Sequence, residues 1–139
     1  MIDLQRMRQL MKRLPSILWE IEQKEADATR VTTNITGMPH GDSSRNKTEN
    51  ATLALIIVKD AYREAISELE SLRREADPLI SMLTDEDERA IMRMRYIHGY
   101  DPEKIAQVVL YHPRTVYRKL KRAERKLMDI DNREKKSCQ

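Results

Sequence analysis

"HPRTVYRKLKRAERK", residues 112–126, holds seven Lys or Arg side chains (Arg114, Arg118, Lys119, Lys121, Arg122, Arg125 and Lys126) against one acid, Glu124. A charge run of this kind is most often the solvated face of a helix. At 100° per residue, however, Val116, Leu120, Ala123 and Leu127 fall within about 60° of one another. Arg114, Arg118, Lys121 and Arg125 occupy the opposite face, with Arg122 to one side. The stretch therefore reads as a helix with a core stripe and a cationic back. Pro113 suits a first helical position, and the residue before a proline is held out of the helical region.

Working upstream, Asp101, Pro102 and Glu103 make a helix start: a capping carboxylate, a proline at the first position and an acid in the first turn. The helix is short, 101–110, with Ile105, Ala106 and Val109 turned inward. A short helix, a turn of about three residues and a basic helix have the spacing of a helix-turn-helix, whose second helix enters the major groove. Before it, "TDEDERA" opens another helix. Thr84 is expected to cap it, and Asp85 to Glu88 complement the positive end of its dipole. Ile91, Met94 and Ile97, with Met92 and Tyr96, are expected on its buried face, and Gly99 is placed like a helix C-cap.

The first part of the chain is written in heptads. Met7, Leu14, Ile21, Ala28 and Ile35 are seven apart, with Leu10 and Ile17 between and Leu18 beside them, an apolar seam on one helix. Pro15 predicts a kink or a helix start, with a short arm before it. "NITGMPHGDSSRNKT" then reads as a loop, expected over 36–47. Its "GMPHGDSS" carries Met38 and Pro39, apolar for a plain linker, so both a flexible connection and a packed partner-binding loop fit it. The next helix is expected near Thr48, with Leu55, Tyr62, Leu69, Ala76 and Leu83 seven apart and Val58, Ala65, Leu72 and Leu79 between. Pro78 is expected to kink or end it. Two heptad helices joined by one loop read as an antiparallel hairpin or as the arms of a dimer.

The expected fold is therefore all-α: a long antiparallel hairpin over 1–83, a helix-turn-helix domain over 84–130 and a disordered tail over 131–139. The 139 residues lack Phe, contain three Gly and are rich in helix formers. The net charge of +3 decides little, but its distribution does. Residues 1–83 carry 12 basic and 13 acidic side chains, residues 84–139 carry 14 and 10, and positions 112–126 alone contribute +6. Such local basicity is the footprint of a polyanion partner. His40, His98, His112 and Cys138 are too scattered to ligate a metal, so no metal or cofactor is expected. The sequons at Asn34, Asn46 and Asn50 are coincidental for a chain with no apolar signal segment. A cytoplasmic, reduced protein without a membrane segment is expected, and no nucleophile–base pair points to an enzyme.

The region "LTDEDERAIMRMRYIHGYDPEKIAQVVLYHPRTVYRKLKRAERKL", 83–127, resembles region 4 of the sigma-70 family. It has the acidic start, the "R-x-R-Y" helix end, "E-x-I-A", "R-T-V" and the terminal "K-L". Two positions depart from that pattern: Leu110 stands where the turn usually has Gly, and His112 where a capping Ser is usual. The upstream layout, with "TNITGMPHG" followed by "RNKTEN", resembles the RinA and ArpU type of phage late-gene activators, although Asn46 replaces the usual Ser. That resemblance implies activation of late promoters in a phage or prophage.

Geometry assigns roles within the basic helix. The N-terminal turns of a recognition helix approach base edges, so Arg114, Thr115, Tyr117 and Arg118 are the candidates for base readout. Lys121, Arg122 and Arg125, with Lys104 of the preceding helix, are the candidates for phosphate neutralisation. The expected partners are double-stranded DNA, a second copy of the chain and, because sigma region 4 also contacts it, host RNA polymerase. The rival readings are a small terminase subunit, which also joins a helix-turn-helix to oligomerisation arms, and a polymerase-interaction module.

Overall fold

The computed structural model describes residues 2–34 and 43–137. They form five helices: α1, Leu4–Asn34; α2, Ser43–Ser81; α3, Glu86–Met92; α4, Pro102–Val109; and α5, Pro113–Ser137. A π-helical turn, Arg93–Ile97, continues α3. The chain is all-α, with α1 and α2 as a long hairpin followed by the helix-turn-helix. It divides into two compact units, Leu10–Glu68 on one side and Met1–Gln9 with Leu69–Gln139 on the other.

In Leu10–Glu68 the hairpin is thinly packed. Among its described residues only Leu10, Ile17 and Ala65 of the apolar set are buried, and the seam positions Leu14, Ile21, Leu55, Val58 and Tyr62 are half-buried. One ion pair, Lys59 Nζ to Glu25 Oε1 at 3.3 Å, ties α1 to α2. Pro15 neither starts nor ends α1, which runs through it. The lost N–H removes a single bond from a 31-residue ladder. The helix starts instead behind Asp3, whose Oδ1 accepts from the Arg6 N–H at 2.8 Å. α2 begins at Ser43 rather than near Thr48, so 43–47 of the expected loop are helical. Its other residues, up to 42, lie outside the described residues, as does Ile35 of the seam.

The unit Met1–Gln9 with Leu69–Gln139 has a continuous core. Ile80, Leu83, Ile91, Met92, Tyr96, Ile105, Val116, Leu120, Ala123 and Leu127 are buried, and so are Leu69, Ala76 and Leu79 from α2. Ile2, Leu4 and Met7 from the start of the chain are buried with them. The expected boundary at 83/84 therefore cuts through this core. A helix-turn-helix of about 45 residues is too small to bury enough surface alone, and both ends of the hairpin add to it. Pro78 does not end α2, which continues to Ser81 before Met82 and Leu83 close tight turns onto the carbonyls of Leu79 and Ile80, each at 3.1 Å.

Of the expected disordered tail over 131–139, residues 131–137 are helical, and 138 and 139 lie outside the described residues. α5 continues to Ser137, and Asp131 is buried, its Oδ2 accepting from the Ile2 N–H at 2.6 Å. Stopping the helix at 130 would leave that backbone donor unpaired in the core.

Candidate nucleic-acid interface

Local chemistry sets the helices of the site. α3 is capped by Asp85, not Thr84: its Oδ1 accepts from the N–H groups of Asp87 at 2.9 Å and Glu88 at 3.3 Å. After Met92 the ladder widens, and the His98 N–H reaches the carbonyl of Arg93 at 3.0 Å. Gly99 then turns the chain at φ +76°, where a side chain is strained, and the Tyr100 N–H closes onto Met94 at 2.9 Å. This places Tyr96 fully inside, while Met94 and Ile97 are half-buried rather than core. The Tyr96 hydroxyl donates to Glu124 Oε1 at 2.6 Å and accepts from Arg8 Nη1 at 2.8 Å. Burial, with the bond to Glu124, holds its hydroxyl well above the ordinary phenol range.

α4 is capped by Asp101, whose Oδ1 accepts from the Lys104 N–H at 2.9 Å, with Pro102 at its first position. Leu110 ends it in the left-handed region, φ 61° and ψ 36°, with its side chain 88% exposed. Leu110 thus does what a Gly usually does in such a turn, at a steric cost of about 1–2 kcal/mol. His112 likewise fills the capping role of α5. Its carbonyl accepts from Thr115 and Val116, at 2.9 and 3.2 Å, and its Nδ1 accepts from the Arg114 N–H at 3.2 Å. Neither departure from the usual turn removes a helix.

Along α5 the core stripe Val116, Leu120, Ala123 and Leu127 is buried, and the basic residues separate into two sets. Lys119, Arg122 and Lys126 face α3. Lys119 Nζ meets Asp87 Oδ2 at 3.2 Å, while Glu88, itself buried, takes Lys126 at 2.8 Å and Arg122 at 3.6 Å. The Tyr111 hydroxyl joins them, donating to Asp87 Oδ2 at 2.7 Å. That bond, with the one from Lys119, holds the Asp87 carboxyl below its ordinary range. Arg114, Arg118, Lys121 and Arg125 are exposed and make no ion pair among the described residues. At 100° per residue they span about 60° of the helix surface, a straight cationic row.

The residues expected for DNA are accordingly not equivalent. Arg114, Arg118, Lys121 and Arg125 share the row. Thr115 is half-buried beside it. Tyr117 is exposed, but its hydroxyl donates to Glu103 Oε1 on α4 at 3.0 Å, a bond that raises its ionisation above the ordinary value. Arg122 leans to Glu88, away from the row. Lys104 sits with Nζ 4.3 Å above the Tyr100 ring, a cation–π contact on the side of α4. Beside the C-terminal end of the row a groove of about 800 Å³ is lined by Arg8, Lys121 and Arg125 but also by Asp3, Glu124 and Asp129. Its charges balance, so it gives a phosphate no net attraction.

Sequence reasoning treated Asp85 to Glu88 as one dipole-complementing group and so missed the work of Asp87 and Glu88. The signal was present. Lys119, Arg122 and Lys126 repeat at three and four residues on a side of α5 distinct from the row, and two adjacent acids face them.

A short capped helix, a turn through a left-handed residue and a second helix with a buried stripe and an exposed cationic row define a helix-turn-helix DNA-binding domain. Comparison makes it more specific: residues 80–127 match the model of Sigma-70, region 4, and the chain carries that domain, a DNA-binding module of transcription, at these positions. No curated protein and no solved structure matches the chain. Among the described residues no helix is long and apolar enough to cross a membrane.

Proposed function

We propose that the protein is a sequence-specific transcriptional regulator, an activator of phage or prophage late genes, that inserts helix 113–128 into the major groove. The observation that carries the DNA part is the exposed row Arg114, Arg118, Lys121 and Arg125 on the second helix of the domain, without an ion pair among the described residues. Cations left without carboxylate partners, while their neighbours on the same helix are neutralised, keep their charge for phosphates and base edges. Arg114 and Arg118 lie in the first turns, where a recognition helix penetrates deepest, and with Thr115 and Tyr117 they read bases. Lys121 and Arg125 neutralise phosphates, with Lys104 at the neighbouring helix start and Arg122 once it lets go of Glu88.

The phage assignment is supported by the upstream pattern "TNITGMPHG" and "RNKTEN" preceding a region 4 domain. In this reading the protein acts in the cytoplasm of a bacterial host, without cofactor or catalysis. Its partners are duplex DNA, a second copy of the chain and the host RNA polymerase.

Selection of duplexes from a random-sequence pool tests the reading. The expected outcome is one enriched motif whose recovery collapses with Arg114→Ala and Arg118→Ala. Recovery of unrelated sequences at equal affinity would remove the sequence-specific reading and leave a backbone binder. Footprinting of the enriched motif over late promoters tests the phage assignment.

A further inference from the structure

Of the four residues placed at the bases, Tyr117 differs from the others in what it has left to offer. At 100° per residue it lies about 60° around α5 from Arg114 and about 40° beyond Lys121, on the flank of the row away from Arg122. It is 45% exposed. Its hydroxyl is already engaged, donating to Glu103 Oε1 at 3.0 Å. A carboxylate acceptor makes that bond charge-assisted, and the bond leaves the phenol harder to ionise than an ordinary tyrosine. Glu103 belongs to the first turn of α4 and Tyr117 to the first turns of α5. The bond therefore crosses the helix-turn-helix and fixes the ring at one place beside the row.

The donor that a tyrosine would turn to a base is thus occupied, and the partly exposed ring remains. A ring edge or face makes no hydrogen bond to the acceptors and amino groups that distinguish one base pair from another. Among the groups that base pairs display in the major groove, one is apolar: the C5 methyl of thymine. We propose that Tyr117 is a specificity-determining residue that selects thymine by packing its ring on that methyl, with Glu103 as the positioning residue that holds the ring in place. Both roles rest on the proposed insertion of α5 in the major groove. They add which part of Tyr117 reads a base and which chemical group it reads.

Replacement of thymine by deoxyuridine in the selected duplex tests this, because deoxyuridine pairs as thymine does and lacks only the methyl. Each thymine is replaced singly, and the ratio of the two affinities is measured by fluorescence anisotropy. Wild type is expected to lose about fourfold at one thymine per bound domain, the worth of burying one carbon group. Tyr117→Ala should bind the two duplexes equally at that position and keep its binding to random duplex. Tyr117→Phe keeps the ring without its tether, and Glu103→Ala removes the tether from the other end, so both should shrink the ratio by the same amount. Glu103→Gln keeps an acceptor and should preserve the ratio. Loss of the Glu103 charge raises affinity for every duplex alike, a change that the ratio cancels. A strut that only joined α4 to α5 would alter melting and leave the ratio untouched. Thermal melting checks each fold, and two variants at each position keep the test decisive if one is unstable. No methyl-sensitive thymine, or one whose ratio survives Tyr117→Ala, overturns the proposal and leaves the DNA reading standing. A full wild-type ratio in both Tyr117→Phe and Glu103→Ala removes Glu103 as the positioning residue. A pool that yields no enriched motif sinks the sequence-specific reading and the thymine contact with it.

Discussion

The two units of this chain use the same helix chemistry in opposite ways. Around the helix-turn-helix, apolar residues from five separated stretches (2–7, 69–83, 91–96, 105–106 and 116–127) converge on one core, and polar side chains close its gaps. In Leu10–Glu68 only Leu10, Ile17 and Ala65 are buried among the described residues, while Leu18, Trp19, Leu53, Ile56 and Ile57 stay exposed. Heptad spacing runs through both. It therefore reports that a face is apolar, and says nothing of whether the chain itself supplies a cover.

The largest effect expected from this contrast is on stability. Leu127→Ala empties a fully buried position of α5 and should cost about 2–5 kcal/mol in denaturant unfolding. Leu18→Ala, on the exposed side of the hairpin, should cost about 0.5 kcal/mol or less. Comparable losses at the two positions would break the contrast between the units.

Next in size is Tyr96→Phe. It leaves Arg8 and Glu124 without the hydroxyl that joins them, an expected loss of about 1–3 kcal/mol. pH sharpens this test. The Tyr96 ionisation is raised above the ordinary value of 10.0, so its contribution is complete below that pH and is lost as pH climbs through the folded-state value. Wild type should therefore lose stability more steeply than the Phe variant in strong alkali. Parallel curves would mean that the network is not formed in solution.

On DNA, Arg114→Ala and Arg118→Ala should each cost about 1–3 kcal/mol on the selected site and little on random duplex. Lys121→Ala and Arg125→Ala should weaken both duplexes alike and flatten the slope of log K against log[salt] by about one unit each. All four residues point away from the core, so all four variants should unfold like wild type. Equal, sequence-blind losses would mean that α5 lies along the backbone instead of in the groove.

Much of the helix-turn-helix was legible in the sequence. The stripe Val116, Leu120, Ala123 and Leu127, the Asp101 cap with Pro102 and the turn at Gly99 follow from periodicity and from backbone chemistry that few residues satisfy. What periodicity could not give is which segments meet. Met7 read as the start of a hairpin seam, and Ile2 and Leu4 drew no reading, yet all three are buried in the unit that holds the helix-turn-helix. Asp131 read as tail because an isolated acid carries no sign of burial; its partner is a backbone N–H from the other end of the chain. Pro15 was overweighted, since one missing bond does not stop a helix held by its neighbours. The π-helical turn at Arg93–Ile97 leaves no compositional mark. Of the candidate site, the cationic row was readable from angle alone, whereas the withdrawal of Lys119, Arg122 and Lys126 toward Asp87 and Glu88 depends on where α3 lies against α5.

The smallest expected effect concerns that withdrawal. Asp87 accepts from Tyr111 at 2.7 Å and from Lys119 at 3.2 Å, and these bonds, in that order, lower its pKa below the ordinary 3.8. A depressed carboxyl stabilises the fold above its unfolded value and loses that contribution as pH falls through the folded one, so the tie between α3 and α5 weakens only in strong acid. Asp87 is exposed, so its effect on global stability is small, and the titration itself is the better reading. Carboxyl-carbon NMR should give Asp87 a midpoint below 3.8, moved upward by Tyr111→Phe and by Lys119→Ala. Asp87→Asn should release Lys119 and steepen the salt dependence of DNA binding by up to about one unit, without touching the row itself. If the Asp87 midpoint sits at the ordinary value and the salt slope does not change, Lys119 is as available as Arg114, and the division of the basic helix into bound and unbound cations does not hold.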